Sequence, residues 1–227
     1  MSEIGKAVNN STHLSYSKIV ASFRYHMDLA LYSTFRQDYA TESILETAKR
    51  GDTTLAYIYS SVGYKYDLLS ANDSSGESHA EFDTKKQKTH FIHNGQLQVP
   101  MDYSKRFINV SIANPNLLNY LNKKHHTDII VFINELDIRN VPNPTENLNE
   151  SNIRREATVQ YSIVNTQHHY LAKGILTIYF PYNENDPKAI GEKYFTAIAH
   201  SMETELVKGL QKQNNKSIIN HTSKTKK

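Results

Sequence analysis

The sequence predicts a single domain of the α/β type, more narrowly α+β. Its sheet is mixed, five- to six-stranded, with a βαβ crossover followed by an antiparallel meander and with helices packed mainly on one face. Three observations predict this. From Ile129 to Ile133 the chain is an unbroken run of β-branched and aromatic residues, which reads as a strand covered on both faces. Arg154 to Val164 and Leu171 to Phe180 each alternate apolar with polar residues and are joined by a short turn-forming stretch. Elsewhere, segments flanked by helix caps place apolar residues three and four apart.

In chain order, residues 1–14 are polar and read as a flexible lead-in. Ser15 or Ser17 caps a helix to about Asp38 in which Val20, Phe23, Met27, Ala30 and Leu31 form the apolar face. A shorter piece, Glu42 to Lys49, stops at Gly51, a residue suited to the left-handed end of a helix. Asp52 caps a third helix, with Leu55, Ile58, Tyr59 and Val62 at the template spacing, and Gly63 ends it. Tyr64 to Leu69 alternates as a strand, and Ser70 to Lys86 reads as a surface loop. Asn94-Gly95 sits between two short extended runs and predicts a hairpin over His90 to Val99, because a type I′ turn needs positive φ at both central residues.

Phe107 to Ile112 is the strand that enters the crossover. Asn114 and Pro115 open a helix over Pro115 to Lys124 that carries Leu117, Leu118 and Leu121. The strand Asp128 to Ile138 follows, and a strand, helix and strand in this order predict two parallel neighbours in one sheet. Past Ile133 it alternates, with Asn134, Leu136 and Ile138 on one side and Glu135, Asp137 and Arg139 on the other. Asn140 to Ser151 reads as a loop and Asn165 to His169 as a turn. Asn185 or Asp186 caps the last helix, Pro187 to Lys208, which shares a sheet face with the 115–124 helix. The domain therefore spans 15–210, with its N-terminal helical part at 15–63, and 211–227 is a disordered basic tail.

Charge narrows the choice of partners. The formal net charge is +3, and six lysines but no acid lie between Leu206 and Lys227, which leaves the rest of the chain at about −3. The basic character belongs to the tail, so nucleic acid is not the expected partner. There is no cysteine, which excludes disulfides, thiolate metal sites and thiol nucleophiles from this sequence. No apolar run reaches the roughly 18 to 20 residues a membrane helix needs, so no transmembrane segment is expected. Residues 1–12 lack the apolar core of a signal peptide.

Candidate chemistry is sparse. Glu135 and Asp137 stand two apart on a strand, so their carboxylates project from one face about 7 Å apart, near the separation of paired acid and base groups. The plainer reading is the solvent face of a strand end, paired with Arg139, Arg154 or Arg155. Eleven histidines include the doublets His125-His126 and His168-His169, and neighbours on a strand or in a turn do not converge on a metal. The phosphate-cradling, nucleophile-elbow and zinc-protease motifs are all missing. Tyrosines crowd the first third and read as a core rim or an interface. The candidates for a functional surface are therefore Glu135, Asp137, Arg139, Arg154, Tyr64 and Tyr66, with no catalytic, cofactor-binding or metal-ligating residue among them.

The segments HHTDIIVFINELDIR, RREATVQYSIVNTQHHYLAKGILTIYFP and NDPKAIGEKYF resemble a group of uncharacterised secreted or envelope proteins of Bacteroidetes-type bacteria. In that group a short helix leads into a VFINE-containing strand, followed by an Arg-Glu strand, a Gly-containing strand and a closing helix. The resemblance covers about Leu117 to Leu206. The element order is also similar to the small α/β domains at the N-terminus of TolB and in CsgG- and LpoB-like lipoproteins. These resemblances imply a periplasmic or secreted location once a leader has been removed, and otherwise the chain is expected in the cytoplasm. They favour a non-catalytic module that binds another envelope protein or a cell-wall component. The alternatives are a metal-assisted hydrolase using Glu135 and Asp137, and a cytosolic nucleic-acid or regulatory adaptor.

Overall fold

The computed structural model describes residues 3–47, 52–68, 91–93, 96–98, 106–142 and 153–224. The expected helix stop at Gly51, the loop at 70–86, the Asn94-Gly95 turn and most of the 140–151 loop lie outside them. The elements are α1 (Glu3–Thr12), α2 (Tyr16–Phe35), α3 (Ile44–Thr47), α4 (Thr54–Ser61), β1 (Val62–Leu68), β2 (Phe91–His93), β3 (Gln96–Gln98), β4 (Arg106–Ile112), α5 (Leu117–His125), β5 (Ile129–Pro142), β6 (Ile153–Asn165), β7 (Tyr170–Pro181), α6 (Pro187–Ile190), one π-helical turn (Gly191–Phe195) and α7 (Thr196–Lys224).

The class is α+β, as the sequence predicts. The meander is present: β5, β6 and β7 form an antiparallel sheet in that spatial order. The single mixed sheet is not. Helix α5 does link β4 to β5, but β4 pairs antiparallel with β1 in a separate sheet, so the two strands are not the parallel neighbours of a βαβ crossover. Strands β2 and β3 pair with each other as a third, two-stranded sheet.

The reason lies on the face of the larger sheet. Asn134, Gln160, Ser162 and Tyr170 turn polar groups toward β4 and act where another strand would. Gln160 Oε1 accepts from the Ile108 N–H, Ser162 Oγ from the Val110 N–H at 3.4 Å, and the Tyr170 hydroxyl donates to the Val110 carbonyl at 2.5 Å. Asn134 Nδ2 donates to the Ile108 carbonyl at 2.9 Å and to Ser162 Oγ at 2.8 Å, and the Ser162 hydroxyl donates to Asn109 Oδ1 at 2.7 Å. Buried backbone groups need partners, and here side chains supply them, so β4 stands against the sheet without joining its ladder.

The opposite face is apolar. Ala157, Val159, Tyr161 and Ile163 of β6, Ala172, Leu176 and Phe180 of β7, and Ile198, Ala199, Met202 and Leu206 of α7 form the main core with Ile19, Phe23 and Met27 of α2. A smaller cluster of Val110, Leu118 and Val164 joins β4, α5 and β6. Helix α5 therefore lies on the β4 side and α7 on the other, not on one shared face. The closing helix starts as expected, with Pro187 at its first position and Asp186 Oδ1 accepting from the Lys188 N–H at 2.9 Å.

Four helical expectations change, the first being the third helix, which ends at Ser61 so that Val62 and Gly63 begin β1. Residues 3–12 form α1, with Ile4 and Val8 buried in the main core, so the lead-in is a packed element. The buried stripe of α2 contains Ile19 in place of Val20, which is 42 % exposed. Helix α7 continues to Lys224, so the 211–224 part of the basic tail has helical backbone.

Candidate functional site

The run from Ile129 to Ile133 is apolar on both faces, yet β5 is an outer strand and β6 is the central one. Ile129, Val131 and Ile133 pack on the main core, while Ile130 and Phe132 pack on the Val110 cluster. All five are only half-buried. Beyond them the register shifts between Ile133 and Glu135, leaving Asn134 as an extra residue. This bulge moves the core-facing set from odd to even numbers, so Leu136 and Ile138 continue the face begun by Val131 and Ile133. Asn134 turns the other way, toward β4, instead of sharing the side of Leu136 and Ile138.

Ladder phase fixes which backbone groups of β5 are spoken for. The Thr166 N–H donates to the Asp128 carbonyl at 3.0 Å, which makes Ile129 and Asn165 a non-hydrogen-bonded pair in their register. Ile130 and Phe132 then exchange bonds with Val164 and Ser162 of β6. The N–H and C=O groups of Ile129, Val131 and Ile133 face away from β6. Thr127 Oγ1 donates to the Ile129 carbonyl at 2.8 Å, and among the described residues the outward groups of Val131 and Ile133 are the open positions.

That edge opens into a groove of about 920 Å³. Every residue from His125 to Ile138 lines it, which is the signature of an edge, since a strand face would contribute alternate residues only. One wall is α2 with the 39–45 segment, including Val20, Leu31 and Tyr32. The other is α4 and the start of β1, including Leu55, Ile58, Tyr59 and Tyr64. The walls are braced by hydrogen bonds: the Ser43 hydroxyl donates to Asp28 Oδ2 at 2.6 Å within the lining, and Ala113 and Asn114 donate their N–H groups to the Ser61 carbonyl at 2.9 and 3.0 Å. The Tyr57 and Tyr120 rings meet edge to face at 4.7 Å. Burial raises the Asp28 carboxyl above its ordinary range, offset in part by the Ser43 hydroxyl.

The sequence candidates separate cleanly. Glu135, Asp137 and Tyr64 all line the groove. Glu135 Oε2 accepts from Gln160 Nε2 at 2.5 Å, and among the described residues no three acidic or histidine side chains are grouped to hold a metal ion. Arg139 is engaged elsewhere, with Glu156 at 2.6 Å, and the Arg154 guanidinium lies 3.6 Å from the centre of the Tyr179 ring. Tyr66 is 71 % exposed on β1 and does not line the groove. Of the histidine doublets, His126 closes α5 at φ 51° and His168 takes φ 64° in the β6–β7 turn.

The sequence reading misses Val131 and Ile133 as donors and acceptors, and Leu31, Leu55 and Ile58 as walls. One signal was present: apolar residues at 129, 131 and 133 and then at 136 and 138, a phase slip that marks a bulge. Comparison with protein-family models, with curated proteins and with solved structures finds no match.

Proposed function

We propose that the chain is a non-catalytic binding module of the bacterial envelope that receives an extended segment of another protein as a fourth strand on β5. The observation that carries the reading is the outward backbone edge at Val131 and Ile133, open to a groove lined by consecutive strand residues. Strand addition draws affinity from main-chain hydrogen bonds and selectivity from alternate side chains. Here the alternate side chains of the guest would meet Val20, Leu31 and Tyr32 on one side and Leu55, Ile58, Tyr59 and Tyr64 on the other. The envelope location rests on the resemblance of the β5 and meander motifs.

The test is a displayed library of random twelve-residue peptides panned on the full chain and counter-selected on Val131→Pro. Proline is tolerated on an edge strand where the N–H faces outward, so this variant removes one outward donor and leaves the β5–β6 ladder in place. Enrichment of alternating apolar sequences whose affinity drops at least tenfold on Val131→Pro supports the reading. Peptides that bind both proteins equally, or none enriched, overturn it. Val20→Ser and Tyr59→Ala, at exposed wall positions, are a second check that does not touch the backbone. A dimer in sedimentation that Val131→Pro splits would identify the guest as a second copy of the chain.

A further inference from the structure

The groove differs in sign from the chain that forms it. The protein carries a formal charge of +3, yet the groove is lined by five carboxylates, Asp28, Glu42, Asp128, Glu135 and Asp137, and a single guanidinium, Arg24. The carboxylates fall into two groups. Asp128 opens the run into β5, Glu42 lies against His125 just before it at 3.0 Å, and Asp28 is tied to neighbouring Ser43. Glu135 and Asp137 stand beyond the bulge. Between the groups lie the five apolar residues from Ile129 to Ile133, with the open edge positions among them.

Among the described residues the hydrogen bonds to these carboxylates come from hydroxyl, amide and imidazole groups, although Arg139 acts on Asp137 through space and burial works against the charge on Asp28. Asp28 accepts from a serine hydroxyl, Asp128 from the Asn122 amide at 3.3 Å and Glu135 from the Gln160 amide. Among the described residues Glu42 meets the His125 ring. Among the described residues none of the five forms a salt bridge with lysine or arginine. A further polar group waits at the same end: His125 is nine-tenths buried in the lining, and its Nε2 has no hydrogen-bond partner.

We infer that the segment received on β5 is basic at both ends, with lysine or arginine flanking an alternating apolar stretch of about five residues. Asp128 and Glu135 are seven positions apart, which at the rise of a strand is about 23 Å. An extended guest of that length places one basic end at Asp28, Glu42 and Asp128 and the other at Glu135 and Asp137. This inference rests on the docking reading and adds the chemistry of the guest to it. Each exposed ion pair is weak, but several in concert give about tenfold or more in affinity, and that gain fades with salt.

The experiment uses three synthetic peptides with one alternating Val/Thr core, flanked at each end by two lysines, two serines or two glutamates. Their binding to the full chain is read by fluorescence anisotropy at low and at physiological salt. The lysine peptide should bind at least tenfold tighter than the serine peptide at low salt, with the glutamate peptide weakest and the spread narrowing as salt rises. In the double variant Glu135→Gln, Asp137→Asn, both at exposed positions, the lysine advantage should fall about threefold. Equal binding of the three peptides, or tightest binding of the glutamate peptide, overturns this inference and leaves strand addition standing. Absence of binding by all three overturns strand addition, and this inference falls with it.

Discussion

β5 and β7 are the two outer strands of one sheet, and the helices beside them treat them in opposite ways. Helix α7 comes down on β7 until backbone meets backbone. A Cβ at Gly209 would lie 2.1 Å from the Leu171 carbonyl oxygen, so only glycine permits the approach. Helix α2 is drawn instead against the start of the closing helix, where a Cβ at Gly191 would lie 2.4 Å from Cβ of His26. It packs mainly on α7, α6 and the π turn, and α1 makes the more extensive helical contact with β5. The two glycines thus settle where the helices sit: one seals β7, and the other holds α2 to the side so that a groove is left along β5. An outer strand left open is normally a hazard for aggregation, and keeping one at the floor of a lined groove is how a protein uses it safely.

The comparison can be broken at several points. The largest effect is expected from Phe132→Pro, which removes a ladder bond to β6 and the ring packed on the Val110 cluster. It should cost more than about 3 kcal/mol and abolish cooperative urea unfolding. Gly209→Ala should cost about 2 to 3 kcal/mol by forcing α7 off β7. A neutral result in thermal and urea denaturation would mean that the seal on β7 does not depend on this contact.

Asp67→Asn comes next, because the Asp67 carboxylate ties the β1 wall of the groove to both sheets. It accepts from Asn109 Nδ2 at 2.7 Å and pairs with Lys173 at 3.2 Å. Burial alone would raise its pKa, but Asn109, Lys173 and Lys65 outweigh burial and hold it below the ordinary carboxylate range. The folded state therefore binds this proton less readily than the unfolded chain. The stability it contributes is present above the unfolded value of about 3.9 and is lost as pH falls through the folded one. The variant should lose about 1 to 2 kcal/mol at neutral pH, and its urea midpoint should fall less than the parent's on acidification below about pH 4.

Val131→Pro, one residue from the most damaging change, should cost no more than about 1 kcal/mol, since its N–H points out of the sheet. If it unfolds the protein as fully as Phe132→Pro does, the assignment of β5 as an open edge fails. Gly63→Ala should be smallest. A Cβ there meets nothing within 4 Å, so a change within about 0.5 kcal/mol, or slight stabilisation, is expected.

The meander is legible in the sequence because both returning strands alternate and only short-range turn chemistry joins them. The crossover is not. Phe107 to Ile112, a helix and an apolar strand carry the local marks of a βαβ unit, and what diverts β4 is Asn134, Gln160, Ser162 and Tyr170, scattered over the next sixty residues. Residues so far apart leave no periodic trace. The apolar run at 129–133 is misleading for a related reason: two faces of cover look the same in sequence whether a strand is central or at the margin. Glu135, Asp137 and Tyr64 could be picked out as exposed polar or aromatic positions, but their meeting in one groove depends on α2 standing aside, which is decided at Gly191 and His26.

The extra residue at Asn134 would limit how long a guest could pair in register with β5 if the proposed strand addition occurs. A guest strand keeps step with β5 from Ile129 to Ile133, and past that point the host's inward and outward positions trade places. To continue, the guest would need an added residue of its own at the matching place. On the strand-addition proposal, backbone pairing would be confined to a word of about five letters, and whatever the guest carries past it would be read through side chains alone, as its basic flanks would be at Glu135 and Asp137.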